Sequence, residues 1–511
     1  MFTILGGFLA AVLAAAPEKP FAIEVVDSQT GRGVPLVELT TVNHLRYLTD
    51  SNGIVAFAEP GLMHTKVFFH VQSHGYEFPK DGFGFRGKAL DIVPGGTARL
   101  EIDRINLAER LYRVTGGGIY ADSVLVGRPV LLRQPTLNGQ VFGCDSVQNV
   151  LYHGKLYWFW GDTSRPAYPL GNFKTTGATS QLPGHGGLAP EVGVNLDYFV
   201  DPSGFVKSMA PLESPGPVWI GGIVVLRDKS KRERMFAYYD KIRGTADSFS
   251  SAERGLVEFD DKSETFRHSV TFPMHGPFPT GGHPLLYKDG GIEYLIFCDP
   301  FPRIRVRAEL DSLKKPESYE AYTCLKPGNR LAVDAAPQLD RATDGTLRWD
   351  WKANTDPIGP VELQKLIQTK KIRERESPFQ LRDVQTGKAV LAHRGSLAWN
   401  DYRRRWIMIF CQIGGTSMLG EIWYAESKEL MGPWSPAGKI VTHDRYSFYN
   451  PRHHPYFDGD GGRVIYFEGT YTAAYSGNTD LTPRYDYNQI MYKLDLAKVA
   501  PLLDVPPKKS E

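Results

Sequence analysis

The stretch Val147-Gln148-Asn149-Val150-Leu151-Tyr152, His153-Gly154-Lys155, Leu156-Tyr157-Trp158-Phe159-Trp160-Gly161-Asp162 decides the fold. An apolar run meets a tight polar turn, and an aromatic-rich run follows and closes on an acid. Two strand-sized runs around a glycine turn read as a hairpin. The same pattern returns four more times. Ile223-Val224-Val225-Leu226 precedes Met235-Phe236-Ala237-Tyr238-Tyr239-Asp240, and Pro284-Leu285-Leu286-Tyr287 precedes Tyr294-Leu295-Ile296-Phe297-Cys298-Asp299. Ser396-Leu397-Ala398-Trp399 precedes Trp406-Ile407-Met408-Ile409-Phe410-Cys411-Gln412, and His454-Pro455-Tyr456-Phe457 precedes Val464-Ile465-Tyr466-Phe467-Glu468. Further strand-like runs follow several pairs, such as Glu421-Ile422-Trp423-Tyr424-Ala425. A repeat of this length predicts an all-β chain with a five-bladed β-propeller over residues 115–500, because radial repetition leaves only short sheet edges.

Outward from the repeat, composition agrees. The 511 residues carry 52 Gly and 36 Pro with 12% aromatics, a turn-rich chain able to build a core. Lys and Arg number 59 against 57 Asp and Glu, a balance that argues against a nucleic-acid partner. Residues 20–108 hold short strands at about ten-residue spacing, the pattern of a small β-sandwich. Asp50 and His70 within it read as scaffold. Residues 1–16 are apolar and end in Ala14-Ala15-Ala16, too short to span a bilayer and suited to a signal peptide. Secreted or periplasmic localisation is therefore expected, with no membrane span; oligomeric state is left open.

In a propeller blade the innermost strand begins on the face where the second strand ends. The second strands are predicted to end at Asp162, Asp240, Asp299, Gln412 and Glu468. The first begin near Asp145, Trp219, His283, Arg394 and the Asn450-Pro451-Arg452-His453-His454 run. One strand-end acid is an ordinary turn cap. A ring of them repels and destabilises the fold unless something uses it. With Trp219, Arg394, Arg452, His283 and His454 alongside, the rim reads as a carbohydrate site: carboxylates for acid–base work, an aromatic face for a pyranose, arginines for acidic groups or hydroxyl pairs.

Three patches carry a resemblance: Cys144-Asp145-Ser146-Val147, the Tyr157–Thr163 strand end, and Tyr424-Ala425-Glu426-Ser427 leading to Gly432-Pro433-Trp434. They resemble the five-bladed β-propeller glycoside hydrolases, the arabinanase, β-xylosidase and neoagarooligosaccharide hydrolase group. Likewise Val26 to Gly53, with Thr30-Gly31-Arg32-Gly33-Val34-Pro35, resembles the carboxypeptidase regulatory-like sandwich. The first resemblance implies a catalytic base at Asp145. It also implies an Asp and a Glu at the second and third inner-strand starts, where this chain has Trp219 and His283. The acid is then expected from a strand end (Glu468, Asp299 or Asp240) or from His283. Inversion with Asp145 as base, Glu468 as proton donor and Asp162 as modulator or 2-OH ligand is the expected scheme. Axial calcium also follows from that resemblance.

Several features point elsewhere. Adjacent His453 and His454 face opposite ways on a strand, and with His443 make a poor zinc set. Cys144, Cys298, Cys324 and Cys411 lack metal spacing and read as buried thiols, with a Cys298–Cys411 bridge as the alternative. Gly116-Gly117-Gly118-Ile119-Tyr120-Ala121 formally fits a dinucleotide fingerprint, yet Gly127-Arg128-Pro129 follows too soon for its helix. No nucleotide cofactor is indicated. Residues 328–392 are an insertion between blades three and four, with a helix starting at Pro360, read as a lid over the rim that brings Glu376 as another acid. Three functions compete on this sequence: glycoside hydrolase, non-catalytic carbohydrate-binding propeller, and polysaccharide lyase using His283, Arg394 and Tyr449.

Overall fold

The computed structural model describes residues 18–503 except 245–248, 280, 332–335, 444 and 485, and leaves the side chains of 169, 170 and 435 undescribed. The apolar segment at residues 1–16 lies outside the described residues. Five sheets share an antiparallel order in which the first three strands of each pair in chain order. Blade one contains Gln148–Tyr152, Lys155–Trp160, Thr176–Ser180 and Asp197–Tyr198, and blade two runs from Val218–Arg227 to Thr265–Phe272. Blade three opens with His283–Asp289, blade four with Ala392–Asn400 and blade five with Ser447–His453. The chain is thus a mostly β, five-bladed propeller.

Closure comes from a strand that the sequence pattern does not announce. Glu109–Arg113 is the outermost strand of blade five, paired with Asn488–Asp495 through Lys493↔Glu109 and Ile490↔Arg113. The propeller therefore begins before residue 115. One chain segment joins the last blade to the lead-in of the first and removes the open edge that a linear array would leave.

The insertion is built into its neighbours rather than laid over them. Asp350–Ala353 adds a fifth strand to blade three, and Phe379–Asp383 adds a parallel fifth strand to blade four. Leu347, Leu363, Leu366 and Leu381 are buried in the core these blades share. The helix, Pro360–Gln368, starts with Pro in its first turn as expected. Glu376 caps the short turn that follows, ion-paired with Arg341 and Arg373, which hold its carboxyl far below the usual range. It is a structural acid.

Residues 21–104 form two four-stranded sheets around one apolar cluster that includes Ile23, Val25, Phe69, Leu100 and Ile102. Asp50 accepts from the backbone N–H groups of Asn52, Ile54 and Ser123, a scaffold role. Arg110 ties this sandwich to the propeller. Its guanidinium donates to Tyr492, Ser73 and the carbonyls of Pro35 and His74, the last at 2.6 Å. All four cysteines are free and buried, so no Cys298–Cys411 bridge forms. No described helix is long and apolar enough to cross a membrane.

Candidate functional site

Asp145 sits between the two-residue strand Gly143–Cys144 and the inner strand of blade one. The backbone around it is fixed by blade five: Cys144 N–H donates to the Tyr487 carbonyl, and Gln489 Nε2 donates to the Cys144 carbonyl. Ser146 lies in the left-handed region at φ 56°, held by bonds to Thr470 and Asn450. Strain of this kind persists only where surroundings over-determine it. Asp145 N–H donates to the Asp162 carbonyl and its own carbonyl accepts from Gly161 N–H, so the two aspartates face across a strand-like pairing. Gly161 is required here, because a Cβ would lie 2.1 Å from Asp145 Oδ1.

The two carboxyls are each half-buried. Burial first, and the neighbouring Asp162 charge second, push Asp145 up to about 7. Asp162 is also raised by burial, with the Trp219 indole opposing the rise by donating Nε1–H to Oδ1 at 3.4 Å. The pair titrates as a unit that retains a proton into the neutral range. Aromatic groups surround it. Tyr449 donates its hydroxyl to Asp145 Oδ2 at 3.0 Å. Tyr475, 63% exposed, and half-buried Tyr487 both feel the two aspartate charges. The sequence pattern does not mark Tyr449, Tyr475 and Tyr487 as rim groups (Tyr449 enters only as a lyase base), because two of them lie on the second strand's exit loop.

Tyr449 stabilises the ionised form of Asp145. Removing that hydroxyl therefore raises the Asp145 pKa further. Tyr449→Phe is expected to move the acidic or alkaline limb governed by this pair to higher pH, read in a pH–rate profile or a carboxyl titration. An unchanged profile would mean the contact does not act on the pair.

The other predicted rim acids are neutralised. Asp240 meets Arg254 at 3.1 Å and Ser251 at 2.5 Å, and blade two's second strand continues past it to Arg243. Asp299 lies 3.8 Å from Nε of the half-exposed Arg394. Trp219 and His283 do stand at the second and third inner-strand starts. His283 is nearly buried, and burial together with Arg452, His454 and Arg394 holds its ring neutral, so it lacks the second ring proton of an imidazolium acid.

Glu468 departs most from expectation. Its strand runs on to Thr472, so Glu468 is mid-strand and fully buried, enclosed in the interior rather than open on the rim. A carboxyl without surface cannot meet a sugar on the rim. His454, expected on the rim, belongs to the same interior group, and half-buried Arg452 reaches toward it. Arg452 Nε donates to Asn149 Oδ1, which turns the Asn149 amide N–H toward His454 Nδ1 at 2.8 Å. The proton of the His454 ring then belongs on Nε2, 3.4 Å from Glu468 Oε2. Burial holds His454 well below its usual range and pushes Glu468 up to about 8, partly opposed by Arg452 and Trp160. The pair is neutral.

That neutrality has a measurable consequence. The unfolded chain releases the Glu468 proton near its ordinary 4.5, whereas the folded protein keeps it to about 8. Stability associated with this group is complete below 4.5 and is lost as pH rises through about 8. Glu468→Gln is expected to flatten the fall in stability across that window, so that the variant gains on the parent as pH rises. Denaturation midpoints of parent and variant that run parallel across the window would contradict the assignment.

Among the described residues no three His, Cys, Asp or Glu side chains converge to hold a metal ion. No protein-family model and no curated protein matches the chain. Among solved structures it is similar to a candidate hydrolase from Bacteroides ovatus, at 12% identity over 69% of this chain and 86% of that one, TM-score 0.43. It is also similar to an exo-β-1,3-galactanase from Phanerochaete chrysosporium solved with galactose, at 8% identity over 76% and 66%, TM-score 0.36. An N-acetylgalactosamine deacetylase from F. plautii shows 9% identity over 78% and 97%, TM-score 0.36. The five-bladed architecture stands on the sheet order described above, independently of these likenesses.

Proposed function

We propose that the rim of the propeller binds carbohydrate and hydrolyses a glycosidic bond at Asp145 and Asp162. The observation that carries this reading is the half-buried aspartate pair, joined backbone to backbone and set beside the Trp219 indole. Two titratable groups whose surroundings separate their pKa values supply an acid and a base. Asp145, whose pKa burial raises to about 7, is assigned as the proton donor to the leaving oxygen. Asp162, with Trp219 donating to it, is the ionised partner that activates water or attacks the anomeric carbon. This reverses the role that family resemblance gives Asp145, and the enclosure of Glu468 is the reason: the donor expected from the sequence has no access. Trp219, Tyr475 and Tyr487 offer faces and hydroxyls for the sugar. The apolar run at residues 1–16 supports export, which suits an extracellular polysaccharide or its oligomers.

Reducing-end release from arabino-, xylo-, galacto- and agaro-oligosaccharides tests the reading, with Asp162→Asn as the control that removes the ionised partner. Release that the control retains in full sinks the assignment. A second reading, a carbohydrate-binding propeller without cleavage, is favoured by the ion-pairing of Asp240 and Asp299, which leaves two rather than four free rim acids. It predicts sugar binding with no new reducing ends from any of these oligosaccharides.

A further inference from the structure

One blade along from the aspartate pair is a 260 Å³ cavity between blades two and three and the insertion. Its continuity with the rim is direct: Trp219 is the register partner of Asp240, and Asp240 holds Arg254, which lines the cavity. Asp299 and Arg303 line it from blade three, and Asp356 from the insertion. Arg394 reaches its edge, since a Cβ on Gly281, another lining residue, would meet Arg394 Nη1 at 3.5 Å.

Arg303 is the unusual member. Blade three's register passes from Phe297↔Ile304 to Cys298↔Pro302, so Arg303 is the extra residue of a β-bulge. Bulges re-aim a side chain and recur beside functional sites. Its neighbour two residues on, Arg305, is saturated by Asp289 and Glu320 and stacks on Tyr294. The charge of Arg303 is felt by Asp299, Glu362 and Arg394. Yet among the described residues Arg303 makes no ion pair or hydrogen bond, and its Nε is a buried donor with no acceptor. Arg254 Nε is another such donor. Asp356, the lining acid from the insertion, is already paired with Arg330 at 3.0 Å. Arginine prefers an oxyanion, carboxylate or sulfate, that accepts two of its N–H bonds. A buried donor left without an acceptor costs free energy that a ligand recovers.

We infer that this cavity is a subsite for a sugar bearing an oxyanion, a uronate carboxylate or a sulfate ester, held by Arg303 with Arg254 and Arg394. The inference rests on the carbohydrate reading of the rim and narrows it to acidic glycans. Its volume, just under the range of about 300–1,000 Å³ for small-molecule pockets, suits one ring or its substituent.

Binding rather than cleavage tests it, so its failure is separable from failure of the hydrolase reading. Calorimetry on the full chain carrying Asp145→Asn compares trigalacturonate, a sulfated carrageenan oligosaccharide and neutral galactotriose. At least one charged probe is expected to bind about tenfold tighter than the neutral one. Arg303→Gln and Arg394→Gln should each remove that preference, and the stronger charged probe identifies the anion. If Arg303→Gln lowers Tm, Arg394→Gln alone decides the question. Equal binding of charged and neutral sugars, no binding of either charged probe, or a preference that survives the substitutions overturns the subsite. Cleavage of neutral sugars without any acid preference would overturn the subsite alone. Acid-dependent binding without cleavage by the unsubstituted protein would overturn the hydrolase alone.

Discussion

Asp145→Asn is expected to lower kcat for glycoside hydrolysis by about 10²–10⁴-fold, the usual contribution of a positioned acid, with KM little changed. The amide fills the same space against Gly161 and still accepts from Tyr449, so sugar contacts persist. What it loses is the transferable proton. Stability should not fall, because the folded protein already favours the neutral carboxyl, which is raised to about 7 by burial and Asp162. Equal losses in kcat and kcat/KM with unchanged Tm would show a group acting in the transition state. Undiminished release of reducing ends would remove Asp145 from the chemistry. A raised KM with intact kcat would make it a binding group only.

Tyr112→Ala is expected to cost about 3–5 kcal/mol of stability, as large aromatic truncations in cores do. Tyr112 lies in the closing strand, is 1% exposed, and donates its hydroxyl to the Pro190 carbonyl at 2.6 Å. Its ring belongs with Leu156, Trp158 and Met491 to the cluster joining blade five to blade one. Loss of this contact loosens the ring at its closure, so chemical denaturation should show both a lower midpoint and earlier loss of any rim activity. A cost below about 1 kcal/mol, as at surface positions, would mean that the ring closes without this strand.

That strand illustrates where sequence reading stops. The five hairpins are legible because each is local: apolar run, turn and aromatic run lie within a few residues, and the pairing needs no distant partner. The closing strand is a short run whose partner, Asn488–Asp495, lies at the other end of the propeller. Nothing local distinguishes it from a linker. Asp145 is legible because it precedes an inner strand and therefore opens on the rim. Glu468 is misplaced by the same reasoning. The polar run after it, Gly469-Thr470-Tyr471-Thr472, looks like a strand exit but remains in the strand to Thr472, buried against its neighbours. Four residues of extra strand turn a rim acid into an interior one, enclosed beside His454. Arg303 is invisible in the sequence because a bulge is a property of register, and one-residue shifts in pairing leave no mark in a pattern of alternating residues. The insertion is legible as a break in the repeat, but its strands are not, since the sheets they extend belong to different blades.

The most direct test of the hydrolase reading is a crystal of the Asp145→Asn protein soaked with mixed arabino-, xylo- and galacto-oligosaccharides. A sugar over Trp219, with a glycosidic oxygen about 2.6–3.2 Å from the amide at position 145 and Asp162 on the anomeric carbon's other side, is the predicted result. Sugar bound only on the opposite face of the propeller or only to the sandwich would contradict it, as would a rim that stays empty at saturating oligosaccharide.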